Sequence, residues 1–368
     1  MIEMIKRNYG IDLLRIISMF MIVILHVLNH GGILYNLDFI SNRYIIIWII
    51  GIICFISVNC YGMITGYLMV DRQIKFKSLF KLWIEIVFWL LVITILLWLF
   101  GYVDLCKKDI LSFFFPVFNN YYWYFSSYFC LFFFMPFING FILKLDKSDY
   151  KKLLLVIIIL FSVLELKNFP FSLNEGYSFL WLLCLYLFGA YIKLFGLNIS
   201  KGLRILLLMF IFVPLAFKIV VSYYPEFLGY FFKTNILITY NSIFIFFPSI
   251  VLFNSVINTN FNNKYVIRFI KRLSKATFGV YIIHLHPYIW DMLKDRFVNY
   301  INYPLLELLV IVFFNSFMIY MLCSYMELFR IFIFGKLKIN ILIDKVYEII
   351  SNNLQKVSLK IVNEQIKS

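Results

Sequence analysis

Apolar residues in this chain are gathered into blocks separated by short polar connections that are rich in Lys and Arg. Each block is about 17 to 25 residues long, close to the roughly 20 that a helix needs to cross about 30 Å of hydrocarbon. The pattern predicts ten helices, at about 11–29, 44–69, 79–100, 121–140, 152–166, 176–195, 203–222, 236–256, 273–290 and 304–330. The expected fold is all-α, a polytopic transmembrane bundle.

Composition sharpens this. Hydrophobic residues make up 63% and charged residues 14% of the 368, against roughly 25% charged in soluble chains, which excludes a soluble fold. The net charge of +15 would point to nucleic acid in a soluble protein, but here the basic residues follow topology. With a cytoplasmic N-terminus, 25 of the 34 Lys and Arg fall in connections on the inner side and 8 on the outer side, with Arg15 inside the first helix. This asymmetry predicts that both termini are cytoplasmic. Residues 1–335 read as one membrane domain. The tail, 336–368, mixes Ile and Val with Lys, Asp and Asn, and reads either as a helix on the inner leaflet or as a solvated segment. The basic start at Lys6 and Arg7 lacks a small-residue cleavage site, so the first block is expected to be a retained helix. The six Cys are dispersed without paired spacing and read as packing residues.

Charged groups are costly in a bilayer, about 2.5–3.5 kcal/mol each on insertion scales, so each needs a reason. Arg15 and His26 are 11 residues apart, which leaves only about 20° after three helical turns and sets them on one face roughly 16 Å apart. A snorkelling Arg and a satisfied core His would account for either residue alone. The chain's four His, however, all fall near outer helix ends: His26 and His30 on the first helix, His284 and His286 on the ninth. Histidine is the usual general base for a hydroxyl nucleophile. A zinc site is disfavoured, because no Cys or Glu lies in ligand register. Near the inner side lie Asp12, Glu85 and Glu327, which could neutralise Arg15 or leave it to face an anion. Gly62 and Gly66 on the second helix have small-xxx-small spacing for close helix packing. The basic loop from Arg72 to Lys81 suits either phosphate binding or topology alone.

These stretches, taken in order, resemble the membrane-bound acyltransferase family 3, bacterial O-acyltransferases of cell-surface polysaccharides. "YGIDLLRIISMFMIVILHVLNHGG" resembles that family's first helix, with Arg, ten residues, then His. "VNCYGMITGYLM" is similar to its second helix, "YYWYFSSYFCLFFFMPFING" to its fourth, "CLYLFGAYIKLFG" to its sixth and "FGVYIIHLHP" to its ninth. The resemblance covers about residues 8–335. It implies that Arg15 and His26 are the catalytic pair, with Arg15 also holding the acyl donor, acetyl-CoA or another acyl-CoA. Arg72 and Phe76 match the family's Arg-xxx-Phe-xxx-Arg element, but Phe80 stands at its last position and only the adjacent Lys81 is basic. Thr65 replaces the usual Ser. Tyr61, Trp123, His284 and His286 are the residues expected to meet the acceptor. Trp123 and its neighbours Tyr121 and Tyr122 suit either stacking on sugar rings or an interfacial aromatic belt.

The expected function is therefore transfer of an acyl group, in first place acetyl, from a cytosolic acyl-CoA to a hydroxyl of a cell-surface polysaccharide or its lipid-linked precursor, at the bacterial cytoplasmic membrane. Besides those two substrates the partners are membrane lipid and, as an open option, a second copy of the chain; no metal and no nucleic acid are expected. The main alternative is a glycan transporter or flippase, which predicts inverted repeats; none is visible. A glycan polymerase predicts a large arginine-bearing outer loop, whereas the outer loops here are short.

Overall fold

The computed structural model describes residues 7–166, 170–224, 226 and 235–367. Lys6, Lys167 and Lys233, which enter the charge asymmetry, and most of the 223–235 connection lie outside the described residues. Among the described residues every regular element is helical. The helices are α1 (Tyr9–Leu28), α2 (Asn42–Met69), α3 (Phe76–Leu99), α4 (Lys107–Phe113), α5 (Trp123–Ile142), α6 (Lys147–Ile158), α7 (Phe179–Phe195), α8 (Lys201–Met209), α9 (Phe212–Tyr223), α10 (Ile243–Ile257), α11 (Lys264–Leu273), α12 (Thr277–His284), α13 (Pro287–Leu293), α14 (Leu305–Lys336) and α15 (Ile339–Lys367).

A helix lies in each of the ten predicted blocks, but they are not all alike. Six elements are long and apolar enough to span a bilayer: α1, α2, α3, α5, the α8–α9 pair and α14. α7 and α10 are apolar but shorter. The block at 273–290 is split into α12 and α13 around Leu285 and His286, because Pro287 has no N–H to continue the ladder and instead starts the next helix. α8 and α9 are likewise separated at Phe210–Ile211, just ahead of Pro214. α10 starts only at Ile243, capped by the Ser242 side chain, after a stretch of turns from Asn235. Large apolar side chains such as Leu306, Phe314, Phe317 and Leu322 stand exposed along α14, the surface expected of a lipid-facing helix. The chain is a multi-pass membrane protein.

α2 is the centre of the bundle, packed between α1 and α7. The crossing with α7 depends on two glycines. A Cβ on Gly66 would meet the Tyr186 carbonyl oxygen at 1.9 Å, and one on Gly189 would meet the Met63 carbonyl oxygen at the same distance. The two backbones therefore touch where any larger residue would force them apart, as small residues permit in membrane helices. Buried polar groups complete the pairing, since in this setting an unsatisfied one is costly. Asn59 donates to the Tyr240 carbonyl at 2.8 Å and accepts from Trp181 Nε1 at 3.0 Å. Asn139 of α5 donates to the Met69 carbonyl at 2.8 Å and accepts from the Tyr186 hydroxyl at 2.7 Å. α1 packs against α2 and α14 and turns one face to a chain of cavities.

Candidate active site

One face of α1 carries Arg15, Met19, Ile22 and His26, at steps of four, three and four residues. All four line internal space. At the Arg15 end a cavity of about 420 Å³ is bounded by Arg7, Asp12, Arg15, Asp71, Arg72 and Lys193. Arg15 and Leu68 also border the next cavity, about 520 Å³, whose walls include Tyr61, Thr65, Tyr124, Phe278 and Glu327. Tyr61, Tyr124 and Phe278 continue into an apolar neck of about 60 Å³ that reaches His26. His26, Trp123, Tyr240, Tyr281 and Leu285 are shared with a last cavity, about 450 Å³, at the far end. Neighbouring cavities share walls, so the string follows α1 from Arg15 to His26.

Arg15 is only weakly neutralised. Of the three acids that could pair with it, Asp12 accepts from Arg7 Nε at 2.6 Å and comes only within 3.9 Å of Arg15. Glu327 is buried and bonded on both oxygens by Arg330 and on one by Trp89 Nε1, while Glu85 lies 3.1 Å from Arg330. Gly279 of α12 makes room for this network, since a Cβ there would meet Glu327 Cγ at 2.3 Å. Arg15 thus keeps a planar guanidinium, one-third exposed, facing the cavities, the group best suited to phosphate oxygens. Tyr61 donates to the Arg15 carbonyl at 3.2 Å, joining α2 to α1 at this level.

At the other end, His26 Nδ1 lies 3.0 Å from His284 Nε2, and His284 Nδ1 lies 2.5 Å from the Val280 carbonyl oxygen. A carbonyl can only accept, so His284 carries its proton on Nδ1 and, with both rings neutral, offers the Nε2 lone pair to His26. His26 then holds its proton on Nδ1. Its Nε2 is left unprotonated, which is the form a general base requires. Trp290 packs edge-on to the His26 ring with centroids 4.9 Å apart and lies flat on His30 at 3.6 Å, limiting how far His26 can turn. His30 bonds through Nε2 to the Trp290 carbonyl at 2.9 Å.

The expected residues divide into two groups. Arg15, His26, Tyr61 and Trp123 line the string, Arg72 lines its first cavity, and His284 stands behind His26. His286 is fully buried away from the cavities, with Nε2 at 3.1 Å from the Leu90 carbonyl and 3.3 Å from the Thr94 hydroxyl. Phe76 packs on Phe132 and Phe133 of α5. Lys81 is bound at 2.8 Å to Asp344 of α15, and Phe80 packs on Tyr347 of that helix. Lys81, with Lys77, holds the Asp344 carboxyl below the usual carboxylate range. Lys193, at the end of α7, is in the sequence pattern only one more inner-side charge, yet it lines the first cavity with Arg72, with Asp71 at 3.8 Å. Among the described residues no three or more His, Cys, Asp or Glu are grouped to hold a metal ion.

The model of an acyltransferase domain, that of the acyltransferase 3 family, matches residues 8–325. The chain belongs to that family. No curated protein and no solved structure matches it significantly. This membrane acyltransferase therefore carries its matched domain from the start of α1 into α14, and the match takes in most of the cavity walls, Arg15 and His26 included, with α15 beyond it.

Proposed function

We propose that the acyltransferase moves an acetyl group from acetyl-CoA, bound from the cytosol at the Arg15 end, to a hydroxyl of a cell-surface polysaccharide or its lipid-linked precursor at the His26 end. The observation that carries the reading is the string of cavities along α1, with a guanidinium at one end and a tautomerically fixed imidazole at the other. The donor set of the first cavity suits a polyphosphate nucleotide: Arg15, Arg72 and Lys193 outnumber the carboxylates not already taken by Arg7. The charge asymmetry of the connections supports a cytosolic position for this end. A long, thin thioester arm fits the next cavity and the apolar neck. The neck, at about 60 Å³, is the narrowest part of the string and is apolar, which suits a small acyl group.

In the reaction, His26 Nε2 takes the proton of the acceptor hydroxyl as its oxygen bonds to the thioester carbonyl carbon. The carbon–sulfur bond breaks, and the proton on His26 passes to the departing sulfur, so the imidazole is neutral at the end. His284 positions His26 and stabilises the cation formed in between by accepting from Nδ1. Because His26 borders both the neck and the far cavity, both substrates can reach one base without a covalent acyl-enzyme. The reading is tested by solution NMR of surface polysaccharide from cells with and without the gene. An O-acetyl signal lost on deletion supports it, and an unchanged spectrum opposes it. The bacterial cytoplasmic membrane is the location that fits a cytosolic donor and a surface-bound product.

A further inference from the structure

The far cavity, which shares His26 with the neck, has a chemistry narrower than "glycan". Its walls are dominated by aromatic rings, Tyr121, Trp123, Tyr177, Tyr240 and Trp290 among them. Trp123 leans on Tyr177, with centroids 4.7 Å apart, and lies nearly parallel to Tyr240 at 6.1 Å, which fixes the rings as a rigid set. The polar side chains among these walls include Asn29, Asn120 and Asp291. Neither Lys nor Arg lines the cavity among the described residues, and the charged side chain that does is Asp291. That carboxylate makes no hydrogen bond and no ion pair among the described residues. The acids with assigned partners lie elsewhere: Asp109 accepts from Tyr288 at 3.2 Å and Asp38 pairs with Arg43 at 3.4 Å.

Aromatic faces bind the C–H side of a pyranose, and carboxylate and amide groups accept and donate to its hydroxyls. A carboxylate engaged in no ion pair, on a cavity wall that carries no Lys or Arg among the described residues, repels an anionic sugar at close range, whereas a uronate would be held by Arg or Lys. We infer that the acceptor unit bound at His26 is a neutral sugar, and that Asp291 excludes uronic and other acidic residues from that position. This rests on the glycan reading above and adds the charge class of the acceptor.

The test is direct binding to the full-length protein in lipid nanodiscs, read by intrinsic tryptophan fluorescence, which needs no acyl transfer. The probes are two neutral chains, maltotetraose and tetra-N-acetylglucosamine, and the acidic tetragalacturonate. At least one neutral chain should bind more tightly than tetragalacturonate by about fivefold or more at low salt, with the difference shrinking as salt rises. Asp291 is exposed on α13, so Asp291→Lys should leave the fold intact and reverse the preference, and Asp291→Asn should narrow it. Tetragalacturonate binding as tightly as both neutral chains, binding of neither neutral chain, or a preference unmoved by Asp291→Lys would each overturn the inference. Failure of acetyl transfer with neutral-sugar binding intact would instead count against the proposed reaction.

Discussion

The imidazoles of His26 and His284 meet nitrogen to nitrogen at 3.0 Å, across 258 residues of sequence, with the second nitrogen of His284 held by the Val280 carbonyl. The contact sets which His26 nitrogen carries the proton, and it leads to the first prediction. His284→Ala should lower kcat by about 10- to 100-fold while leaving the KM for acetyl-CoA unchanged, because the ring remains but its tautomer and orientation are no longer fixed. His284→Gln, which can still accept from Nδ1, should recover part of the loss. Steady-state kinetics of the two variants decide it; equal defects would point to packing alone.

Cation identity at the other end gives a second prediction. Arg15→Lys should weaken acetyl-CoA binding by about tenfold, since an ammonium replaces a two-pronged donor. Arg72→Ala and Lys193→Ala should also weaken it, and Lys81→Ala should not, because Lys81 is engaged by Asp344. With its pKa lowered in the fold, Asp344 stays ionised down through the usual carboxylate range and loses the pair only in stronger acid. The distinction therefore holds throughout neutral pH. Isothermal titration with acetyl-CoA measures all four.

The tight α2–α7 crossing makes a stability prediction. Gly66→Ala should destabilise the purified protein by about 1–3 kcal/mol or more, since the added methyl meets backbone and not a movable side chain. Gly140→Ala on α5, where a Cβ meets nothing within 4 Å, should be neutral or slightly stabilising. Thermal unfolding in detergent compares them.

Sidedness is open to a fourth test. On a background lacking the six native Cys, Lys107→Cys should react with a membrane-impermeant thiol reagent in intact cells and Lys147→Cys should not. Labelling at 147 in sealed cells would invert the orientation and move Arg15 away from the acyl-CoA.

The helix positions, the Arg15–His26 face and the close packing at Gly62 and Gly66 were legible in the sequence because each is a local property of spacing and residue size. The break before Pro287 was not read from the sequence, because an unbroken apolar run conceals it and a single block is expected at 273–290. What local pattern could not show was pairing across the chain. Glu85 and Glu327 turn out to serve Arg330, and Asp12 to serve Arg7, which is why Arg15 is left facing the cavities. Lys81 lay next to the expected phosphate-binding element, but its partner is on α15. Lys193 looked like one more inner-side cation until the fold of α7 against α2 set it beside Arg72. His286 shared the signal of His284, and the turn of one helix step sends it into the core against α3.

Proteoliposomes give the decisive measurement of whether His26 is the base for acyl transfer along the α1 cavities. Radiolabelled acetyl-CoA is supplied to wild type and His26→Ala at matched protein levels, with polysaccharide extracted from cells lacking the gene as acceptor. His26→Ala should bind acetyl-CoA as wild type does and transfer about 100-fold or more slowly. Transfer by His26→Ala at the wild-type rate would contradict it.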